Sequence, residues 1–503
     1  MKGGAKKIGA MLLALCLVAA PAMADAASRK DRAMEKRLRD HIEMLASDEF
    51  MGREPGTEGE ALTLRYLGRT WFDIGLISGT NDPGNEWFAP VTLVAREPDA
   101  STARFTRRGR AIAVPESEYL MLTSGKRALV RDAPLLFVGH GDNIDDIARS
   151  DLAGRIAVML DGGEDAGERQ DALLAAGALA VLTVLDGERT LAQVAARRQR
   201  SGYALADDSL GGDLEGFITR AGMEVLLRPT RYRMDRLIEW AERERFVPQL
   251  LGARASLEAT TQETTIRTFN MIGKLPGKDP ESGAVLFVAH WDHFGVCGEA
   301  SAEDTICNGA VDNASGVAAL TEIARALAKS SKLDRDVYFL ASTAEELGLL
   351  GAHAFAENPP VPVQRFVAAF NIDSPALAPG GTPLAIVGAG MSGLDEEIAK
   401  VAAREDRKLV ASEEAEEFTR RQDGWALLQH DIPAVMVTSA YSNPRRLHRY
   451  LDEDYHRPSD DPTREIELGG AVEDINFHIA LAKWFGNRDS FPGKPERIPG
   501  KEE

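Results

Sequence analysis

Two imidazoles, His290 and His456, and four carboxylates, Asp312, Glu345, Glu346 and Asp373, stand out in this chain by type and order. Mixed nitrogen and oxygen donors of this kind suit two divalent ions, zinc first, with cobalt or manganese as substitutes. A paired-metal site needs one bridging group, private ligands for each ion and open positions for water. The six groups divide into five ligands and one base left over. Adjacent Glu345 and Glu346 point in different directions, so one can bind metal while the other faces the bound water. The chemistry of such a set is hydrolysis, in which metal lowers the pKa of a water and polarises a carbonyl.

Each group also has a plain structural explanation. Glu345 and Glu346 can complement a helix dipole, and Asp373 before Ser374-Pro375 can be a turn residue. The order of all of them in one chain carries the functional reading. His140, His293, His353, His430 and His448 lack comparable neighbours and are read as structural or surface groups.

The elements that must position these residues are legible as apolar runs. Val285–Ala289 leads into His290-Trp291-Asp292-His293, Val337–Ala341 leads towards Glu345 and Glu346, and Phe366–Ile372 ends in Asp373. Short apolar runs of this length fit buried strands of a parallel sheet. Their C-terminal ends form the edge where open α/β sheets bind ligands. Asn308–Gly316 places Asp312 in a turn-rich segment that leads into a helix, and His456 sits in a polar loop, Asp454–Pro462.

Composition sets outer limits. At 503 residues the chain is too long for one compact core. Its net charge of -19 argues against a nucleic-acid-binding surface. Lys2, Lys6 and Lys7, the apolar stretch Ile8–Ala20 and Ala22-Met23-Ala24 read as a signal peptide over 1–24, with a mature chain from about Asp25. Leu15 before Cys16 argues against a lipid anchor, since that position wants a small residue. The mature chain is therefore expected to be exported, periplasmic or secreted, with no stable membrane anchor. Only Cys297 and Cys307 remain after cleavage, and a loop-closing disulfide between them is expected in an oxidising compartment.

Around the ligand stretch the chain changes character twice. Thr57 and Glu60 form a capping-box pattern before a helix running to about Phe72. Residues 119–257 hold the buried runs Pro134–Gly139, Ile156–Leu160 and Ala180–Leu185, with no spaced metal set. This segment reads as a β-rich insert without chemistry of its own. It divides a main domain formed by 25–118 and 258–486, and the Pro-, Gly- and charge-rich segment 487–503 is expected to be disordered.

The order His290-x-Asp292, Asp312-Asn313 before a helix, Glu345-Glu346, Asp373 and Tyr455-His456-x-Pro458-Ser459-Asp460 resembles the co-catalytic di-zinc aminopeptidases. That family includes bacterial leucyl aminopeptidase and aminopeptidase Y and is related to glutamate carboxypeptidase and the transferrin receptor. Residues 45–59 resemble its N-terminal segment and 119–257 its inserted protease-associated domain. The resemblance implies a three-layer α/β/α domain with a mixed, mainly parallel sheet. It implies two zinc ions per chain: His290 and Asp373 on one, Glu346 and His456 on the other, Asp312 bridging. Glu345 would be the general base and Asp292 would orient His290. A cis peptide between Asp312 and Asn313 is implied as well.

The expected activity is removal of N-terminal residues from peptides. A carboxypeptidase or dipeptidase on the same scaffold would need a basic group at the pocket, for which Arg420, Arg421, Arg445 and Arg446 are candidates. A one-zinc acyltransferase of the glutaminyl-cyclase kind would have less need of both His290 and Asp373. A silent, receptor-like binding protein would have lost ligands, and none is lost here. Arg421-Gln422-Asp423-Gly424-Trp425 departs from the family's usual Ser-Asp-His before an aromatic, and Ser374 stands where a larger apolar residue is frequent. Both departures bear on substrate choice.

Overall fold

The computed structural model describes residues 29–493 apart from 142–146, 148, 163–165, 188, 196–201, 207–212, 244, 299–300 and 465. The expected signal peptide at 1–24 lies outside the described residues. The chain divides into two compact units, residues 1–91 with 267–503 and residues 92–266.

In the first unit, helix α1 (Glu58–Ile74) precedes the long strand β1 (Gln249–Leu275), of which only the end belongs to this unit. Then follow β2 (Ala284–His290), α2 (Gly316–Ala328), β3 (Asp336–Ser342), α3 (Leu350–Glu357) and β4 (Phe366–Asn371). The unit closes with β5 (Ala385–Val387), α4 (Asp423–Gln429), β6 (Ala434–Thr438), α5 (Pro444–Glu453) and α6 (Leu468–Gly486). The strands lie in the order β5-β6-β4-β2-β3-β1. β6, β4, β2 and β3 are mutually parallel, while β5 and the 271–275 end of β1 run antiparallel at the two sides.

The apolar runs form strands because both sheet faces are covered. Successive side chains of a strand point to opposite faces. Phe287, Phe339 and Phe370 share one core with buried residues of α2 and α6, such as Leu320, Ile323, Ile475 and Leu481. Leu286, Val288 and Leu340 share another with Phe355 of α3 and Leu427 of α4. The result is a three-layer α/β/α unit. Phe287 stacks at 5.9 Å on Phe339 and at 5.4 Å on Phe370. Side chains alone do not hold the layers: the fully buried Arg335 donates to the carbonyls of Phe485 and Phe491 at 2.7 and 2.8 Å. Residues 487–493 are therefore packed against the core, with Phe491 buried, while 494–503, the rest of the segment expected to be disordered, lie outside the described residues. A buried guanidinium needs acceptors, and this segment supplies one.

His478 of α6 is a core histidine. Its ring meets Phe287 and Phe370 edge-on at 6.2 Å, and burial pushes its pKa down to about 4. Between about pH 6.5 and 4 the unfolded chain takes up a proton at this residue that the folded chain refuses. Stability from this residue is complete above that window and falls through it by about 3 kcal/mol. Denaturant unfolding at pH 7 and pH 4 should show that His478→Gln loses less stability on acidification than the parent protein. An equal loss in both would contradict a neutral, buried His478.

The second unit has its own core, including Phe137, Val158, Leu182 and Ile218. Strands Arg127–Phe137, Ile156–Leu160, Ala180–Val184 and Leu214–Ile218 are parallel in that order, with Tyr119–Thr123 antiparallel beside the last. It is wider than the 119–257 segment read from the sequence, because Phe88–Arg107 pairs with Arg110–Ile112 and Tyr203–Leu205. Among the described residues, both clusters of potential metal donors lie in the first unit.

Candidate metal centre

The parallel strands deliver their chemistry at their C-terminal ends. His290 is the last residue of β2 and sits opposite Ser342, the last residue of β3. Asp373 follows β4 by two residues, and Glu345 and Glu346 lie in the turn between β3 and α3. Asp312 lies in the turn Ala310–Ser315 that leads into α2, and the Asp312–Asn313 peptide is cis. Asn313 ties this turn to the Asp373 loop: its side chain accepts from the Ser374 amide at 3.1 Å and donates to the Ile372 carbonyl at 3.1 Å. A side chain at position 316 would collide with that amide, since a Cβ there would lie 2.0 Å from Asn313 Oδ1; Gly316 keeps the space open. His456 follows α5 with a φ of 56°.

The six groups converge. His290 Nε2 lies 3.3 Å from Asp312 Oδ1, 3.6 Å from Asp373 Oδ1 and 3.9 Å from Glu345 Oε2. His456 Nε2 lies 3.3 Å from Asp312 Oδ2 and 3.1 Å from Glu346 Oε2. The two oxygens of Asp312 thus face one imidazole each. Both ring nitrogens are buried without a hydrogen-bond partner. Buried polar atoms left unpaired among carboxylates are costly, and divalent cations between them would satisfy both nitrogens and oxygens. Donor atoms of His290, Asp312 and Glu346, and of His290, Glu345 and Asp373, lie within 4.8 Å of one another. The donor set fits metal.

The electrostatics follow from crowding. Burial disfavours a charged His290, but Glu345, Asp312 and Asp373 outweigh it and hold its pKa well above the usual range. Burial would raise Asp312, yet the facing imidazoles hold it well below the usual carboxylate range. Burial, joined by the charges of Glu346 and Asp373, pushes Glu345 well up.

Asp292 lies beside His290 and also reaches the turn that carries the two glutamates. His290 Nδ1 lies 3.2 Å from the Asp292 carbonyl and 3.7 Å from its carboxylate. The carboxylate accepts from the amides of Glu345 and Glu346 at 3.2 and 3.3 Å, so it also fixes the turn that aims both glutamates.

The sequence reading assigned no role at the centre to three further residues. His293, read as structural or surface, is buried and places Nδ1 2.5 Å from Glu346 Oε1. Asp460 is fully buried and accepts from the amides of Val311 and Asp312 at 3.0 Å and from the Tyr450 hydroxyl at 2.9 Å. Arg53, also fully buried, donates to the carbonyls of Trp291, Leu45, Asn308 and Gly309 at 2.6–3.0 Å. Burial pulls its pKa down to about 10, opposed by the charges of Asp312, Asp460, Asp292 and Glu346. The sequence cue to Arg53 was its place in the segment 45–59 that carries part of the resemblance. Elsewhere, His353 and His430 pair with each other at 3.2 Å and His448 is exposed.

A cleft of ≈ 230 Å³ opens on the cluster, bordered by Ser374, Phe418, Arg420, Arg421, Tyr441 and Tyr455. Arg445 and Arg446 line a separate groove. Next to the centre, the strand pair Gly295–Val296 and Ile306–Cys307 is closed by the disulfide Cys297–Cys307, with Cα atoms 5.7 Å apart.

Residues 270–476 match the family model of peptidase family M28, and every donor named above falls inside that span. The fold is similar to that of an aminopeptidase from Aneurinibacillus sp. strain AM-1, at 18% identity and a TM-score of 0.55, covering 93% of this chain and 96% of that one. Other similar structures are BSAP, a zinc aminopeptidase from Bacillus subtilis (19% identity, TM-score 0.47, 92% and 97% covered), and a peptidase M28 precursor from Shewanella amazonensis SB2B (15% identity, TM-score 0.45, 95% and 100% covered). No curated protein matches the chain. Among the described residues no helix is long and apolar enough to cross a membrane.

Proposed function

We propose that this protein is an exported exopeptidase that binds two zinc ions and removes N-terminal residues from peptides. The observation that carries the reading is Asp312, whose two carboxylate oxygens each face the buried Nε2 of a different imidazole at 3.3 Å inside the span that matches the M28 model. His290 and Asp373 would hold one ion, His456 and Glu346 the other, and Asp312 would bridge them. Bound there, zinc would supply a water of lowered pKa and polarise the scissile carbonyl. Glu345 is the group left over. It borders the cleft, and its raised proton affinity suits it to take the water's proton and hand it to the leaving amine. Asp292 holds the Glu345 and Glu346 amides so that one carboxylate can act as base while its neighbour binds. The acidic cleft also suits a free, positively charged N-terminus, which would confine cleavage to chain ends.

Export rests on the basic and apolar start of the chain and on the disulfide, which belongs in an oxidising compartment. Peptides are the expected partners, and neither nucleic acid nor a stable membrane anchor is part of this reading. Kinetics on leucyl-p-nitroanilide and its N-acetyl derivative test the activity. Cleavage of the first alone is expected. Equal cleavage of both, or cleavage only of peptides with a free C-terminus, would overturn the aminopeptidase assignment.

A further inference from the structure

We propose that Arg421 is a specificity-determining residue that makes the cleft select substrates carrying a carboxylate. The inference rests on the peptidase reading above and names the substrate class of the same site.

The cleft is lined by Asp312, Glu345, Glu346 and Asp373, a concentration of negative charge. Metal offsets part of it, but Glu345 stays free as a base. A substrate bringing its own carboxylate into this space needs a dedicated cation. Arg421 stands on the cleft wall. Its Cζ lies 4.6 Å from the centre of the Phe418 ring and 6.0 Å from that of Tyr455, and its Nη2 lies 3.5 Å from the Tyr455 hydroxyl. Tyr455 in turn stacks on the donor His456 with ring centres 3.6 Å apart. Packing against two aromatic rings fixes the plane of a guanidinium without using up its fork of donors, which is the form that takes a carboxylate with two parallel hydrogen bonds. Among the described residues Arg421 forms no ion pair. Arg445 and Arg446 line the separate groove, where Arg446 is tied to Glu467 at 3.1 Å, and Arg420, on the same cleft, lies over the Trp425 ring with its Cζ 5.4 Å from the ring centre.

The carboxylate could be the side chain of an N-terminal aspartate or glutamate, or the C-terminus of a dipeptide. Two matched pairs separate these sources: glutamyl- against glutaminyl-p-nitroanilide, and leucyl-alanine against leucyl-alanine amide. In the zinc-loaded enzyme the carboxylate member of one pair should show a KM lower on the order of tenfold. Arg421→Ala should erase that difference by raising the KM of the carboxylate member to that of the neutral one, and Arg421→Lys should restore only part of it. A preference in the first pair assigns the side chain, and one in the second assigns the C-terminus. Calorimetric titration with glutamate against glutamine, and with leucyl-alanine against its amide under Glu345→Gln, reads the same contact without turnover. No carboxylate preference in either pair, or one that survives Arg421→Ala, overturns the proposal while leaving the peptidase reading standing. Carboxylate-selective binding that depends on Arg421, with no hydrolysis of any substrate, supports the proposal and overturns the peptidase reading instead.

Discussion

Glu345→Gln should lower peptide hydrolysis by about 10²- to 10⁴-fold, the usual contribution of a positioned general base, while zinc content stays at the parent level. The substitution keeps the shape of the side chain and removes its ability to accept the water's proton. Glu345 alone of the converging groups is not needed as a ligand, although it lies 3.9 Å from His290 Nε2. The amides of Glu345 and Glu346 are held by Asp292 in either protein, so the turn should persist. Loss of activity should appear in kcat rather than KM. Loss of one zinc together with activity would make Glu345 a ligand and require another base. Full activity would remove it from the mechanism.

Arg53→Met should cost about 3–5 kcal/mol of stability, the range for uncovering buried charge, and should weaken metal retention. Arg53 supplies four hydrogen bonds to carbonyls on three separate segments around the centre. Without it those carbonyls lose their donors, and Asp312, Asp460, Asp292 and Glu346 lose a cation they all face. Arg53→Lys keeps the charge but cannot fork to several acceptors at once, so it should recover only a minor part. Denaturant unfolding with metal analysis reads both effects. A loss below about 1 kcal/mol, the level of an exposed pair, would mean the carbonyls are satisfied by other means.

These two residues show where sequence reading succeeds and where it stops. Glu345, His290 and Asp373 were legible because each follows an apolar run whose burial on both faces demands a central parallel strand. The C-terminal edge of such strands is a known location for ligands, so the order of donor types carried real information. Arg53 was not legible because its partners are backbone carbonyls, and backbone carbonyls leave no mark in a sequence. Asp460 stood in the Tyr455–Asp460 motif, but its role was not legible for the same reason, since it accepts from the amides of Val311 and Asp312. His293 was set aside for want of neighbours in the chain, yet Glu346 reaches it from 53 residues away. Over 487–493 the composition misled: Pro and Gly argued for disorder, while the buried Arg335 needed the Phe491 carbonyl. The second unit's limits were read too narrowly because Phe88–Arg107 pairs with strands near and far.

The most direct test of the central claim is the number of metal ions bound per chain, measured by elemental analysis of the purified protein and by zinc titration of the chelated form. A bridging Asp312 between two imidazole-bearing sets predicts about two zinc ions per chain, with Asp312→Ala losing both and hydrolysis returning in step with zinc added back to the parent. A stoichiometry of about one with full hydrolysis would contradict the bridged pair and move the protein towards single-metal chemistry. Hydrolysis that persists with no zinc bound would contradict the metal centre altogether.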